Sequence, residues 1–556
     1  MKTLCCAALS ALALLLMATC GGKSADTVES PAAPAAADAW LAYIPADSPL
    51  VMANLRPLPP EIVDWLATGM APIADNLQNK LAEQMAQTSD EQERAVLAEL
   101  DGKLSREGLA SIGVSLTPRY ALYGIGVSLA VRVELANGQA MRDFIARLEA
   151  AAGEKAPRAT FEDIEYLTMS EDELRVVLAV QDDVAIFGVM PEAAHEQVLP
   201  VLFGKQKPER SLADTGALRQ IVDQYGLLGV ATGYLDTAAL ARLFTGRGSA
   251  LSTATMDLAG IELPELSAVC HKEIDTMAAA VPRLVFGYTG MRKGSMEALG
   301  VLEMRADLAG EMAGLQRPVV GLNDLARDQP VFAMGLGLDL AGAMDWLQSK
   351  AQAVADAPYQ CPELAELNQG MTELATELGN SKASLPPFIT GFQGLAVAVT
   401  SMEMGGDMPN GTGYALLGVK QPMQLIGMAQ AMVPQLSSVT VEPDGAPVPV
   451  STGVPVPEIV NLTVQGDWIG AAIGDADTKA LVSRMRQKPK ADGPFMVMSY
   501  NYAEFTAMLE AAGGLDGGAD EIEMMKAVGR MMGFVELNMR FEANGLYMKQ
   551  RMTTAP

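Results

Sequence analysis

Apolar residues along the chain recur with two periods, and the period switches repeatedly. Short alternating or continuous apolar runs bounded by Pro, Gly, Asn or Asp predict strands at 50–55, 120–134, 161–169, 174–189, 226–234, 331–338, 395–403, 414–419, 460–473 and 495–500. The run 174–189 is expected to bend into a hairpin at Asp182-Asp183. A closing hairpin, 534–541 with 546–552, is expected to turn at Asn544-Gly545. Helical spacing fills the gaps: 62–110 with breaks, 141–151, 191–202, 237–244, 340–354, 362–378 and 422–432. Pro59-Pro60-Glu61 opens the first of these, because Pro at a helix start gives up an N–H that has no partner there. Asn137-Gly138 and the stretch 405–413 read as turns. Residues 439–457 interleave Val and Pro and predict an edge hairpin, since Pro cannot donate to a ladder.

This alternation of strands and helices returns. The stretch 47–66, DSPLVMANLRPLPPEIVDWL, has an ungapped echo 281 positions on, at 328–347, DQPVFAMGLGLDLAGAMDWL. Asp47/Asp328, Pro49/Pro330, Leu55/Leu336, Asp64/Asp345, Trp65/Trp346 and Leu66/Leu347 are identical. An internal duplication is the reading, with Trp65 and Trp346 expected at equivalent core positions. A second echo links 281–291 with 385–395. Each half is therefore expected to hold a long and a short unit built from a strand, helices and a strand hairpin. The predicted fold class is α+β, with two homologous halves, 39–320 and 321–556, each a mainly antiparallel sheet packed with helices.

Composition narrows the function more than the fold. Hydrophobic residues make up 49% of the chain, which supports a large core. The net charge of −27 excludes a nucleic-acid binder, because phosphate contacts need a basic surface. Methionine, at 34 residues, is roughly three times ordinary usage, and core filling is favoured over a binding groove. His195 and His271 are the only histidines and show no ligand or catalytic spacing. Acidic loops at 475–477 and 516–520 lack the spaced ligands of a calcium loop and read as helix caps through Asp477 or Asp520. No cofactor, metal or catalytic residue is expected.

Residues 1–20 form a targeting segment: Lys2, an apolar run at 9–17, then Met17-Ala18-Thr19-Cys20. This resembles the lipobox of bacterial lipoproteins. The resemblance implies removal of the leader, lipidation of Cys20 and a membrane anchor through acyl chains. Gly21 after the cysteine resembles the sorting signal for the outer membrane, so the implied location is the cell envelope, facing the periplasm. Residues 21–38, rich in Ala, Pro and Ser, read as a flexible tether. The start of the body, Ile44-Pro45-Ala46-Asp47-Ser48-Pro49, resembles a group of bacterial exported proteins to which no activity is attached.

With Cys5 and Cys6 in the leader and Cys20 lipidated, Cys270 and Cys361 remain. In an oxidising envelope they are a disulfide candidate, with two free buried thiols as the alternative. The leading expectation is a non-catalytic envelope lipoprotein that binds a partner protein or an apolar ligand, or has a structural role. The alternative is an envelope hydrolase using carboxylates in a cleft between the halves.

Overall fold

A computed structural model describes residues 39–318, 320–321, 329–382, 386–403, 410–433, 436–450, 459–488, 490, 492–511, 522, 525–526, 529 and 532–554. The leader, the tether, Cys20, Asp328 and Asp520 lie outside them, as do 404–409 and 451–458. The chain is α+β and packs as two compact units: the described part of Met1–Leu266 with Val281–Gly300, and Ser267–Ala280 with the described part of Val301–Pro556. Packing thus assigns 267–280 to the second unit, although these residues precede two strands of the first.

In unit 1, strand β1 (Leu50–Ala53) leads to helices α1 (Pro60–Gln87), α2 (Glu91–Leu100) and α3 (Arg106–Ser111). The hairpin β2 (Tyr120–Ile125) and β3 (Ser128–Glu134) follows, then α4 (Gly138–Ala152). Four strands come next: β4 (Arg158–Phe161), β5 (Ile164–Glu171), β6 (Leu174–Gln181) and β7 (Val184–Pro191). Helices α5 (His195–Leu202) and α6 (Ala217–Tyr225) precede β8 (Thr232–Asp236), α7 (Thr237–Phe244) and α8 (Ala250–Leu258). After α9 (Ala268–Ala280), which belongs to unit 2, β9 (Arg283–Arg292) and β10 (Ser295–Glu303) follow. The strand order in unit 1 is β4-β5-β6-β7-β3-β2-β1-β8-β9-β10, antiparallel from β4 to β9.

Strand β1 is central and is pinned by polar side chains at both ends. Ser48 Oγ accepts from the Gly124 N–H at 2.9 Å and donates to the Gly124 carbonyl at 2.7 Å. Asn54 Oδ1 accepts from the Ala231 N–H at 2.6 Å, and its amide donates to the Pro118 carbonyl at 3.3 Å. Both residues are buried, so these bonds satisfy groups that would otherwise be costly to desolvate. The main core lies between α4 and the sheet, where Met141, Phe144 and Ile145 meet Leu167, Leu178 and Ala185. A second cluster joins Ile62 and Val63 of α1 to Leu58 and Val230.

Unit 2 holds α9, then α10 (Ala306–Gly314), β11 (Phe332–Leu336), α11 (Leu340–Asp356) and α12 (Ala365–Lys382). Strands β12 (Phe392–Glu403) and β13 (Asn410–Val419) precede α13 (Pro422–Met432). Then come β14 (Val448–Val450), β15 (Val460–Gln465), β16 (Trp468–Ile473) and α14 (Asp475–Met485). Strand β17 (Met496–Asn501), α15 (Tyr502–Ala511) and the hairpin β18 (Phe534–Glu542) and β19 (Gly545–Thr553) close the chain. The strand order is β14-β15-β16-β13-β12-β11-β17-β18-β19, antiparallel throughout. Its core sets Leu481 and Met485 of α14 against Trp468, Ala396, Leu416 and Val497.

Several elements differ from the sequence expectation. The run 161–169 is broken by a turn at Glu162-Asp163, where Glu162 takes φ 52°. Asn137-Gly138 is a helix start: Asn137 Oδ1 accepts from the Ala140 N–H and caps α4. Asn410 and Gly411 lie in β13, not in a turn. Residues 226–231 precede β8 instead of forming it. Asp477 does not cap α14; its carboxylate accepts from the Thr400 hydroxyl at 2.6 Å. Trp65 and Trp346 occupy matching places on α1 and α11 but are half-buried, not core. Trp65 packs beside the Ile62–Val63 cluster, whereas Trp346 donates from Nε1 to Glu311 at 2.8 Å and lies under the Lys350 ammonium.

Candidate functional site

The strongest candidate is an apolar groove in unit 1. It starts from the Asp-Ser-Pro stretch that precedes β1. While Ser48 fixes the end of β2, the neighbouring Asp47 carboxylate accepts from the Ser249 N–H at 3.2 Å and the Ser252 hydroxyl at 3.1 Å. These groups belong to the start of α8, where a carboxylate is favoured by the unpaired N–H groups of a helix end. Gly126, in the β2–β3 turn at φ 58°, completes the arrangement. A Cβ there would meet Thr255 Oγ1 of α8 at 2.0 Å, so only glycine lets the turn sit against that helix.

The far end of α8 and the β2–β3 turn then form two walls of a cavity of about 800 Å³. Val127 and Leu129 come from β3 and its turn, Val189 and Met190 from β7, Leu174 from the start of β6, and Leu258 and Ile261 from α8 and the residues after it. Leu174 is 51% exposed, Ile261 40% and Leu258 37%, so the floor keeps apolar surface in water. Met190 is the groove's single methionine and is itself buried; Met141, Met256 and Met485 are likewise core residues. Other described methionines, Met70, Met277, Met428 and Met432, are exposed, so core filling accounts for only some of them.

Charge sits at the rim. Asp172 and Glu173 form the β5–β6 turn, with Asp172 at φ 54°. Arg175 grips both oxygens of Glu192, with Nε to Oε2 at 2.9 Å, and the Ser170 hydroxyl adds a bond at 2.7 Å. Together they hold the Glu192 carboxyl down at about 2.

Two further cavities are polar. One of about 580 Å³ in unit 1 brings Asp163 and Glu165 together with Lys205 and Arg158. Lys205 pairs there with Asp163 and Arg158 with Glu165, while Arg142 donates to the Asp182 backbone carbonyl. Another, of about 320 Å³ in unit 2, is lined by Arg317, Asp492, Arg540 and Glu542. Among the described residues, every carboxylate with a shifted pKa is shifted down: Glu134, Asp163, Glu192, Asp214, Asp307 and Glu311. A carboxylate acid–base pair needs one member raised toward neutrality.

Cys270 of α9 and Cys361, just before α12, are joined as a disulfide within unit 2, with sulfurs 2.22 Å apart. Both are buried. Glu273, one turn along α9 from Cys270, accepts from the Gln360 and Cys361 N–H groups at 2.9 and 3.0 Å. Glu363 Oε2 lies 3.1 Å from Cys270 Sγ and 3.0 Å from Cys361 Sγ. Two sulfurs and a carboxylate resemble a metal ligand set in composition, but sulfurs bonded to each other are not thiolate ligands. His271 takes no part in that cluster, and His195 Nδ1 contacts the Glu192 carbonyl one turn back, at 2.8 Å. The structure thus brings Cys270 and Cys361 together, and Cys20 lies outside the described residues.

Comparisons with protein-family models, curated proteins and solved structures find no match for this chain. The groove was not nominated by the sequence. Its one local signal is Leu174, a large apolar residue directly after Glu171-Asp172-Glu173.

Proposed function

We propose that this protein is a non-catalytic lipoprotein of the cell envelope that binds an apolar group in the unit 1 groove. The observation that carries this is the exposed floor of Leu174, Leu258 and Ile261 in a cavity of about 800 Å³. Concave apolar sites of this size are where ligands lose most of their hydration. An uncharged apolar fluorescent probe should bind with saturable enhancement. Leu174→Asp combined with Ile261→Asp should weaken it at least about tenfold, because each side chain buries roughly 1.5–3 kcal/mol of apolar contact. Equal binding by the variant would reject the groove as the site.

The anchor is proposed at Cys20, in the outer membrane facing the periplasm, on the resemblance of Met17-Ala18-Thr19-Cys20 to a lipobox. Mass spectrometry of the membrane fraction should find acyl chains on Cys20. An unmodified Cys20 there would remove the anchor.

We also infer that the two units descend from one duplicated ancestor. In support, β1 and β11 each lie between the first strand of the following hairpin and the strand that opens the unit's last section. The strand orders β7-β3-β2-β1-β8-β9 and β16-β13-β12-β11-β17-β18 correspond position by position. Of the six sequence identities, Asp64/Asp345, Trp65/Trp346 and Leu66/Leu347 fall on α1 and α11, and Pro49 and Pro330 just precede the first strands, whereas Leu336 lies in β11 and Leu55 follows β1.

A further inference from the structure

We infer that the occupant of the groove is a cationic amphipathic peptide segment of a partner protein, an inference that rests on the groove being the binding site. The reason is the sign and placement of charge around the apolar floor. The tip of the β5–β6 hairpin carries Glu171, Asp172 and Glu173, all exposed. Exposed Asp257 directly precedes Leu258, and exposed Glu262 directly follows Ile261.

None of these five carboxylates is in an ion pair with a described residue. Arg175, the cation beside the hairpin tip, is consumed by Glu192. Exposed carboxylates without an ion pair thus stand in the groove lining, at Asp172 and Glu173, and next in sequence to lining residues, at Asp257 and Glu262. An amphipathic helix with Leu-like side chains on one face and Lys or Arg flanking that face matches this pattern. It would place anchors at i, i+3, i+4 and i+7 on the floor. A single-headed cationic amphiphile carries one charge against several carboxylates drawn from two separate segments. An anionic amphiphile would meet like charge at Asp172 and Glu173, which disfavours it as a partner.

The test must separate this local pattern from the acidity of the whole chain, whose net charge of −27 attracts any polycation. Three fluorescent peptides of equal length are titrated into the full chain by anisotropy. One is a Leu/Lys amphipathic helix, one has the same composition in scrambled order, and one has Glu in place of every Lys. The first should bind at least about tenfold tighter than either of the others. Its affinity should fall several-fold as salt rises through the range where the Debye length drops below about 8 Å.

Asp172→Asn with Glu173→Gln should weaken the first peptide several-fold while leaving the uncharged probe bound as before. Asn keeps the positive φ that the turn requires at 172, so folding is preserved. Equal binding of the scrambled peptide, or of the Glu peptide, would overturn the inference. So would an unchanged affinity in the double variant. If the uncharged probe still binds in those cases, the groove stands and only its occupant is wrong. If the probe also fails to bind, both readings fall.

Discussion

Removing the Cys270–Cys361 bond should destabilise unit 2 by up to about 4–5 kcal/mol, the loop-closure value for a link across 91 residues. The bond also has a particular place in the fold. Helix α9 reaches unit 2 from a chain segment flanked on both sides by strands of unit 1. The disulfide fixes that helix to the start of α12, and reduction would leave it held by noncovalent contacts, chiefly the Glu273 carboxylate on two backbone N–H groups. Those bonds lower the measured loss below the full loop value. In the reduced form both thiols can donate to Glu363, so neither is left as a buried orphan. Alkylation followed by intact-mass analysis should find no free thiol at either position without reductant. Urea unfolding should show a lower midpoint for unit 2 in the Cys270→Ser/Cys361→Ser variant. Two alkylated thiols without reductant, or an unmoved midpoint, would reject the bond as a stabilising element.

Much of the element order was legible because its signals are local. Helices 237–244 and 422–432 have the bounds read from sequence, since Asp236 caps one and Pro422 opens the other. The bend at Asp182-Asp183 lies where the residues indicate, whereas the closing hairpin turns one residue earlier than expected, at Ala543-Asn544, with Gly545 opening β19. Misreadings came where one residue type serves two purposes. Asn137-Gly138 has the composition of a hairpin turn, yet the following apolar period is helical, and the Asn side chain is used as a cap. Glu162-Asp163 carries no Gly or Asn and still turns a hairpin, because the paired strands on both sides hold Glu162 in the left-handed region.

The groove was not legible for a different reason. Its walls come from β3, β6, β7 and the end of α8, segments far apart in sequence. Asp47 was visible as half of a repeated motif, but its use on Ser249 spans 202 residues. Local pattern cannot carry a contact of that range. What the motif supplies is structural: it sets the helix whose other end becomes a wall of the site.

Arg132→Ala should cost unit 1 about 3 kcal/mol, near the upper end for single substitutions. Alternation in β3 would not single out this residue, yet it is 6% exposed on a strand flanked by β2 and β7. No described carboxylate pairs with it. Its charge is offset by two weaker partners. Nη1 donates at 2.8 Å to the carbonyl of Leu202, the last residue of α5, where the helix end carries about half a negative charge. The Tyr43 ring lies 4.2 Å from the guanidinium carbon, a desolvated cation–π contact. Burial pushes the neighbouring Tyr123 hydroxyl up, and the Arg132 charge opposes that shift.

Truncation to Ala removes the charged hydrogen bond, the ring contact and the packed stem, and leaves the Leu202 carbonyl without that partner. Relief of the buried charge returns part of this, which is why the expected loss is about 3 kcal/mol and not the sum. Arg132→Met keeps the stem and should recover about half. A double-mutant cycle with Tyr43→Leu should give a coupling of about 1–2 kcal/mol by urea unfolding. Zero coupling would mean the ring does not stabilise the cation. Met as costly as Ala would mean that the guanidinium's polar contacts, not its stem, hold this part of unit 1 together.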